Sequence, residues 1–442
     1  MSRRNRRASG ATTTGLALGS VLFAAALYGG AAHASGAQVR PGDPDWAANA
    51  FAGMAAKAYD ASTAWSNPAG MTELSTTEVD LGLNGLFTNI TFSGSNLLGG
   101  KPIAGSDGGN AGGALITPSF AAVWAVTPRL RLGLAVETPF GDSVVYPSDF
   151  VGRYQAGVSS IRDIEIGPVI AYRLSPSLSV GGGPIIDHFA ARLTTAINTG
   201  PTAALTGDPA LDVSSGDWSV GYHLGVLWKP LADWRFGIDY RSRIRNAMEG
   251  TQSVFIPPLL AALSPPAAGA LAALATPVRT VITVPDVLTL GAVWQINPHL
   301  AALGTVQWTD WAVIPSIAIN GLNGSQQTLQ LHFHASWMGS VGLNWSPASV
   351  PGLMLQMGTG LDESPATDAS RTPRLPTMNE ALLGFGAQYA VSPAVTLKAS
   401  FLHEFGFGPG GVNYSATPSA GILNGIYSTG VSVVGVGVGV KF

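Results

Sequence analysis

Val434-Gly435-Val436-Gly437-Val438-Gly439-Val440-Lys441-Phe442 closes the chain, and its strict alternation decides the fold. Successive side chains on a strand point to opposite faces. One face of this stretch is valine ending in phenylalanine, apolar enough for lipid. The other is glycine and lysine, small or polar. A strand of this kind fits a barrel wall with hydrocarbon outside.

The rest of the composition agrees. Of 442 residues only 11% are charged, against about 25% in ordinary soluble domains. Glycine is abundant at 56 and the mean hydropathy is +0.27. After residue 34 no uninterrupted apolar run is long enough for a spanning helix, and residues 259–275 are broken by Pro265-Pro266. Apolar but helix-poor is the pattern of a transmembrane barrel, whose strands need only about ten alternating residues to cross. A chain ending on phenylalanine after such a strand also resembles the C-terminal assembly signal of outer-membrane proteins.

A recurring turn organises the middle. An aromatic precedes Pro by two to four residues in Trp124…Thr127-Pro128, Tyr172…Ser175-Pro176, Trp228-Lys229-Pro230, Trp294…Asn297-Pro298, Trp345-Ser346-Pro347 and Tyr389…Ser392-Pro393. Proline is tolerated there because a turn needs no ladder donor. Each interval between these turns holds two strands and a longer loop. Six short turns join twelve strands, and one strand at each end brings the number to fourteen. The aromatics then share one depth as a girdle at the periplasmic interface. A soluble propeller could repeat at this spacing but would leave the low charge unexplained.

The N-terminus reads as an address. Arg3, Arg4, Arg6 and Arg7 precede an apolar stretch at residues 16–27 and the small-residue site Ala32-His33-Ala34, so a signal peptide is expected over residues 1–34. Its loss takes the formal net charge from −3 to −7 (four positive charges removed), which argues against a nucleic-acid partner. The absence of cysteine excludes disulfide staples and thiolate chemistry.

Residues 35–75 form a first unit rich in Ala and Gly, too short to bury a core alone. It ends in Tyr59-Asp-Ala-Ser-Thr-Ala-Trp-Ser-Asn67-Pro68-Ala69-Gly-Met71, where Asn67-Pro68 stops a helix. A plug inside a barrel formed by residues 76–442 is the expectation. The fold class is thus an all-β membrane protein, a 14-stranded antiparallel barrel with an N-terminal hatch in its lumen.

With these pieces in place the chain resembles the FadL/TodX family of outer-membrane transporters of long-chain fatty acids and aromatic hydrocarbons. The matching stretches are residues 59–71, Phe140-Gly141 with Gly152-Arg153-Tyr154, Ala171-Tyr172-Arg173-Leu174, Trp308-Thr309-Asp310-Trp311, and residues 361–376 with Asp362, Ser364-Pro365 and Arg374. The resemblance implies a hatch carrying Asn67, Pro68 and Ala69. It also implies a kinked third strand through which hydrophobic ligand leaves sideways into the bilayer. Thr138, Pro139, Phe140 and Gly141 suit that kink, since Pro139 lacks a donor and Gly141 bends freely.

Two candidate ligand sites follow. Phe255, Ile256, Leu259, Leu260 and Leu263 crowd a proline-rich loop, an apolar surface suited to capture. On the fifth strand, Asp187, His188 and Arg192 are candidates for an inner site. The resemblance places the fatty-acid transporter's arginine at Thr195, with Arg192 the nearest substitute, and so leaves room for uncharged hydrocarbons.

No nucleophile constellation marks an enzyme: His223 near Ser219 and His403-Glu404 exist, but nothing in the sequence marks either as part of one. His332 and His334 alone do not complete a metal site, and no cofactor is expected. The expected protein is a monomer in the outer membrane of a Gram-negative bacterium, both termini periplasmic. Its partners would be a hydrophobic small molecule and outer-membrane lipid. The competing readings are a plugged porin for hydrophilic solutes and a structural barrel.

Overall fold

The computed structural model describes residues 36–40 and 42–442, so the expected signal peptide and Ser35 lie outside the described residues. The strands close into a fourteen-stranded antiparallel barrel. They are β1 (Glu78–Leu98), β2 (Ala114–Ala125), β3 (Leu130–Glu137 and Gly141–Val145), β4 (Val158–Ser175), β5 (Leu178–Ala196), β6 (Ala210–Leu231) and β7 (Trp234–Arg241 and Ile244–Phe255). The second half is β8 (Thr276–Val284 and Val287–Asn297), β9 (Leu300–Thr309 and Ser316–Gly321), β10 (Gln326–Gln330 and Ser336–Trp345), β11 (Leu353–Asp362), β12 (Asn379–Ser392), β13 (Val395–Phe407) and β14 (Ile422–Lys441). No helix among the described residues is long and apolar enough to cross a membrane; the strands do that.

The six proline turns fall between β2 and β3, β4 and β5, β6 and β7, β8 and β9, β10 and β11, and β12 and β13. Trp124, Tyr172, Trp228, Trp294, Trp345 and Tyr389 all face outward beside them. This is the aromatic belt of a membrane interface. The start of β1 and the end of β14 meet at the same rim, Glu78 opposite Lys441. On β14, Val434 and Val436 face outward while Gly435 is turned inward and buried, as the alternation requires.

Residues 36–40 and 42–74 thread the lumen. The short helix Pro44–Ala48 is capped by Asp43, whose carboxylate accepts from the Asp45 amide at 2.7 Å. Trp46, Phe51, Trp65 and Met71 pack with Leu86, Leu382, Leu402 and Val433 of the wall. The seat for this unit is built from missing side chains. A Cβ on Gly237 would stand 1.8 Å from the Ala55 carbonyl oxygen, and one on Gly358 1.9 Å from that of Asn49. The inward glycines of the wall are therefore the room into which the hatch backbone fits.

One cation pins it. Lys398 of β13 donates to Asp43, Asp60 and Asp80 at 2.9, 2.7 and 2.6 Å, joining two hatch residues to β1 and β13. These three carboxylates lie close enough to hold a metal ion, but the ammonium fills the space between them. Burial alone would raise the Asp60 carboxyl; Lys398 and Ser62 together hold it below its ordinary value.

Candidate ligand path

The wall breaks at the third strand. Glu137 of β3 pairs with Glu165 of β4, and Gly141 pairs with Arg162. Three residues, 138–140, therefore oppose two, and Pro139 has no amide to give the ladder. On the other side, the β2–β3 ladder ends at Phe120 opposite Val136, while β2 continues to Ala114 on β1. Residues 114–119 thus ladder with β1, and the β2–β3 ladder does not reach them.

The N-terminal segment fills the break. The Val39 amide donates to the Pro139 carbonyl at 2.7 Å, and the Gly141 amide to the Ala37 carbonyl at 2.8 Å. Gln38 faces Phe140 across this bridge. The strap is anchored on the far wall, where Arg40 forms a buried ion pair with Asp362 of β11 and donates to Gln307 of β9 at 2.9 Å. A cavity of about 40 Å³ lies beneath, lined in part by Gln38, Trp65, Pro139, Phe140, Glu165 and Arg241. It holds no more than a water or two, so this state is closed.

Beside the break, an apolar cluster joins strands that are distant in sequence. Ile185 and Phe189 of β5, Ile244 and Met248 of β7, and Ile282 and Val284 of β8 meet Phe140, Trp311 and Phe333. Trp311 packs its edge or face on both phenylalanines, at centroid distances of 5.8 and 6.4 Å. It reaches inward because β9 is interrupted between Thr309 and Ser316, with β10 interrupted alongside between Gln330 and Ser336. The strap leans on the same ring: a Cβ on Gly36 would lie 2.5 Å from Trp311.

A long connection, residues 363–378, turns inward between β11 and β12 and is largely buried. Arg374 ties it to β4 and β5, donating to the Val158 and Thr194 carbonyls and to the hydroxyls of Ser159 and Thr195. Burial pushes this guanidinium down to about 10. Below, Asn67 acts twice. Its amide donates to the Ala55 and Val226 carbonyls at 2.7 and 3.0 Å, and its oxygen accepts from the Ala69 amide at 3.1 Å. It caps the turn Pro68–Glu73 and docks it on β6.

The residues expected around an inner site on β5 do not come together. Asp187 faces inward, buried, and accepts from Asn246 at 2.8 Å. His188 points outward against Trp218, at a centroid distance of 4.7 Å. Arg192 is also outside, paired with Asp212 at 2.7 Å and not with Asp187. The physical reason is the period of two: residues 187 and 188, or 187 and 192, cannot share a face of one strand. Thr195, where the resemblance expects arginine, receives Arg374 from the inward loop.

The loop expected to capture ligand is helical, with Pro258–Leu263 and Pro265–Ala272 following β7. Leu260 is buried, Ile256 half-buried, and Phe255, Leu259 and Leu263 are exposed. Sequence reasoning missed the apolar cluster of Ile185, Phe189, Ile244, Met248 and Trp311. The signal lay in Trp308-Thr309-Asp310-Trp311, which stood out without suggesting a lining role.

A closed barrel with a plugged lumen and an interrupted wall defines a class, the outer-membrane transport barrels. Residues 25–442 match the family described as outer membrane protein transport protein (OMPP1/FadL/TodX), and the chain belongs to that family. It is 24% identical over 391 residues to a putative outer membrane protein of Neisseria meningitidis serogroup B, covering 79% of this chain and 81% of that one. It is 22% identical over 429 residues to a long-chain fatty acid transport protein of Escherichia coli O6:H1, covering 89% and 93%. The fold is shared with a Pseudomonas aeruginosa FadL homologue, at a TM-score of 0.85 and 20% identity over 92% of this chain and all of that one. It is shared also with the Ralstonia pickettii toluene transporter TbuX, at a TM-score of 0.64 and 17% identity over 90% and 98%.

Proposed function

We propose that this chain carries hydrophobic molecules, such as long-chain fatty acids or aromatic and aliphatic hydrocarbons, passively across the outer membrane and releases them sideways through the break in β3. The observation that supports this most is the ladder gap at residues 138–140, filled by a strap that belongs to the chain's own N-terminus. Only a replaceable partner can leave without breaking the barrel. Exposed Phe255, Leu259 and Leu263 collect ligand outside, and the cluster around Trp311 and Phe140 receives it. The strap residues 37–39 then withdraw, and the hatch held by Asn67 stays or shifts beneath. Exit into lipid spares the ligand's apolar surface from rehydration. The ligand and the surrounding lipid are the partners, and the working unit is a monomer with both termini periplasmic.

Uptake by cells lacking other transporters of this class tests the reading, with a long-chain fatty acid, an alkylbenzene and a small sugar as probes. Deleting Pro139 leaves two residues opposite two and lets the ladder run through. The expected result is hydrophobic uptake that falls about tenfold or more in an assembled barrel, which corresponds to more than ~1.4 kcal/mol. Sugar uptake with no hydrophobic preference, unchanged by the deletion, would leave a plugged porin.

A further inference from the structure

The wall is interrupted a second time, at β10 and β11, and the interruption leaves a recess on the outer face. β10 is broken between Gln330 and Ser336, β11 stops at Asp362, and the connection to β12 turns inward before Asn379. Beyond the pair Met338–Asp362 the ladder gives way to single hydrogen bonds. The Glu363 amide donates to the Trp337 carbonyl at 2.9 Å, and the His334 amide to the Pro365 carbonyl at 3.1 Å. The Trp337 amide donates to the Glu363 carboxylate at 3.2 Å. Beside these bonds lies a recess of about 520 Å³, lined in part by His334, Glu363, Asp368, Arg371, Asn379 and Pro409. Pockets that hold small molecules span about 300–1,000 Å³.

The strand below fixes its height. β11 is ten residues long, enough to cross the hydrocarbon, and Leu355, Met357, Thr359 and Leu361 face outward along it. Glu363 is the next outward position and is exposed. Trp337, Phe405 and Phe407 are exposed around it, and Asn379 shares the outer face with Phe407, its directly paired neighbour. The recess therefore opens at the level of the outer leaflet's head groups, above an apolar, aromatic rim.

The lining selects among head groups. Asp368 pairs with Arg371 at 2.7 Å, and Arg371 is otherwise spent on the Thr377, Pro409 and Gly411 carbonyls. Glu363 stands 3.7 Å from His334. Each acid thus has a base beside it, and neither a phosphate nor an ammonium meets an unmatched opposite charge. What the recess offers is acceptors and donors side by side. The carboxylates of Glu363 and Asp368 are about half exposed, and Asn379, whose oxygen accepts from the Ser364 amide at 2.9 Å, adds its NH2 group. A hydroxyl both donates and accepts, and several on one ring suit such a lining. We infer that this recess binds the sugar head of an outer-leaflet glycolipid, its hydroxyls on Glu363, Asp368 and Asn379 and its chain along Trp337, Leu361 and Phe405. The inference does not rest on the transport reading. Ala366 lines the recess and also belongs to the apolar cluster behind it, so the bound head covers the outside of a partition whose inside is that cluster.

The test is equilibrium binding of octyl glucoside, octyl phosphate and octylammonium, three heads on one chain, to the full chain in phosphatidylcholine nanodiscs, with empty discs subtracted. The glucoside should fill a saturable site about tenfold more tightly than either charged probe, the worth of one hydrogen bond to a charged group. Glu363→Ala combined with His334→Ala should erase that advantage. Glu363→Cys, capped by a bulky maleimide after assembly, should do the same and covers failure of the double variant to assemble; the chain has no other cysteine to react. Glu249→Ala, which removes an exposed acid paired with Arg279 elsewhere on the outer face, should change nothing. Tighter binding of the phosphate or the ammonium, a glucoside site that survives capping, or no saturable binding would overturn the inference. Methyl glucoside bound as tightly as octyl glucoside would overturn it too, since the site would then take free sugar and not lipid.

Discussion

The barrel closes in two ways at two nearby seams. Where β14 meets β1, the ladder runs unbroken from Glu78–Lys441 to Leu97–Ile422, with every residue opposite one partner. Where β2 meets β3, pairing stops at Phe120–Val136, and above it the exposed ladder groups of Pro139 and Gly141 are met by residues 37 and 39. The first seam is made of wall alone. The second borrows backbone from the plug. Buried backbone groups must be satisfied in either case, so the difference is one of replaceability. A strand of the wall cannot leave, whereas a lumenal segment that bridges the break through two backbone hydrogen bonds can.

The contrast predicts that damage to the closed parts costs stability and spares transport, while changes at the borrowed seam do the reverse. Lys398→Ala tests how firmly the plug is held. It strands Asp43, Asp60 and Asp80 without their cation, and removing one partner of a buried cluster costs about 3–5 kcal/mol. Hydrogen exchange should accelerate across residues 43–66, and ion conductance in planar bilayers should rise. Val436→Arg strikes the closed seam on its lipid face and should cost about 2–4 kcal/mol in urea unfolding from vesicles. Uptake per assembled barrel should stay unchanged.

Gly358→Ala addresses the seat. Its new Cβ would collide with the Asn49 carbonyl, so hatch docking should weaken by about 1–3 kcal/mol. Gly339→Ala, with nothing within 4 Å, should change little and serves as the paired control. The smallest effect belongs to Arg192→Ala. The pair with Asp212 is more than half exposed on the arginine side, so its loss should cost at most about 1 kcal/mol and leave ligand preference untouched.

Much of the wall was legible in the sequence because its cause is local. Each proline turn follows from a missing donor, and each aromatic beside it from the depth of the interface. The alternation of Val434 to Phe442 is equally local. The candidate site was less so. The resemblance directs attention to Asp187, His188 and Arg192 on one strand, although strand parity alone separates Asp187 from the other two. The lining of the apolar cluster was hidden for another reason. Ile244, Met248 and Ile282 face inward yet are as apolar as residues that face lipid, so alternation in hydrophobicity loses its contrast there. Nor could sequence show that residues 363–378 fold into the lumen and carry Arg374 to Thr195, a contact between residues 179 apart.

The most direct measurement locks the strap to the break. Gln38 and Phe140 are facing residues of an antiparallel bridge, a spacing that suits a disulfide, and the chain has no cysteine to interfere. Gln38→Cys combined with Phe140→Cys should transport an alkylbenzene when reduced, fall to the background of cells without the protein when oxidised, and recover with reductant. Equal uptake in the oxidised and reduced states, with the cross-link shown complete by mass, would mean that ligand does not leave through β3.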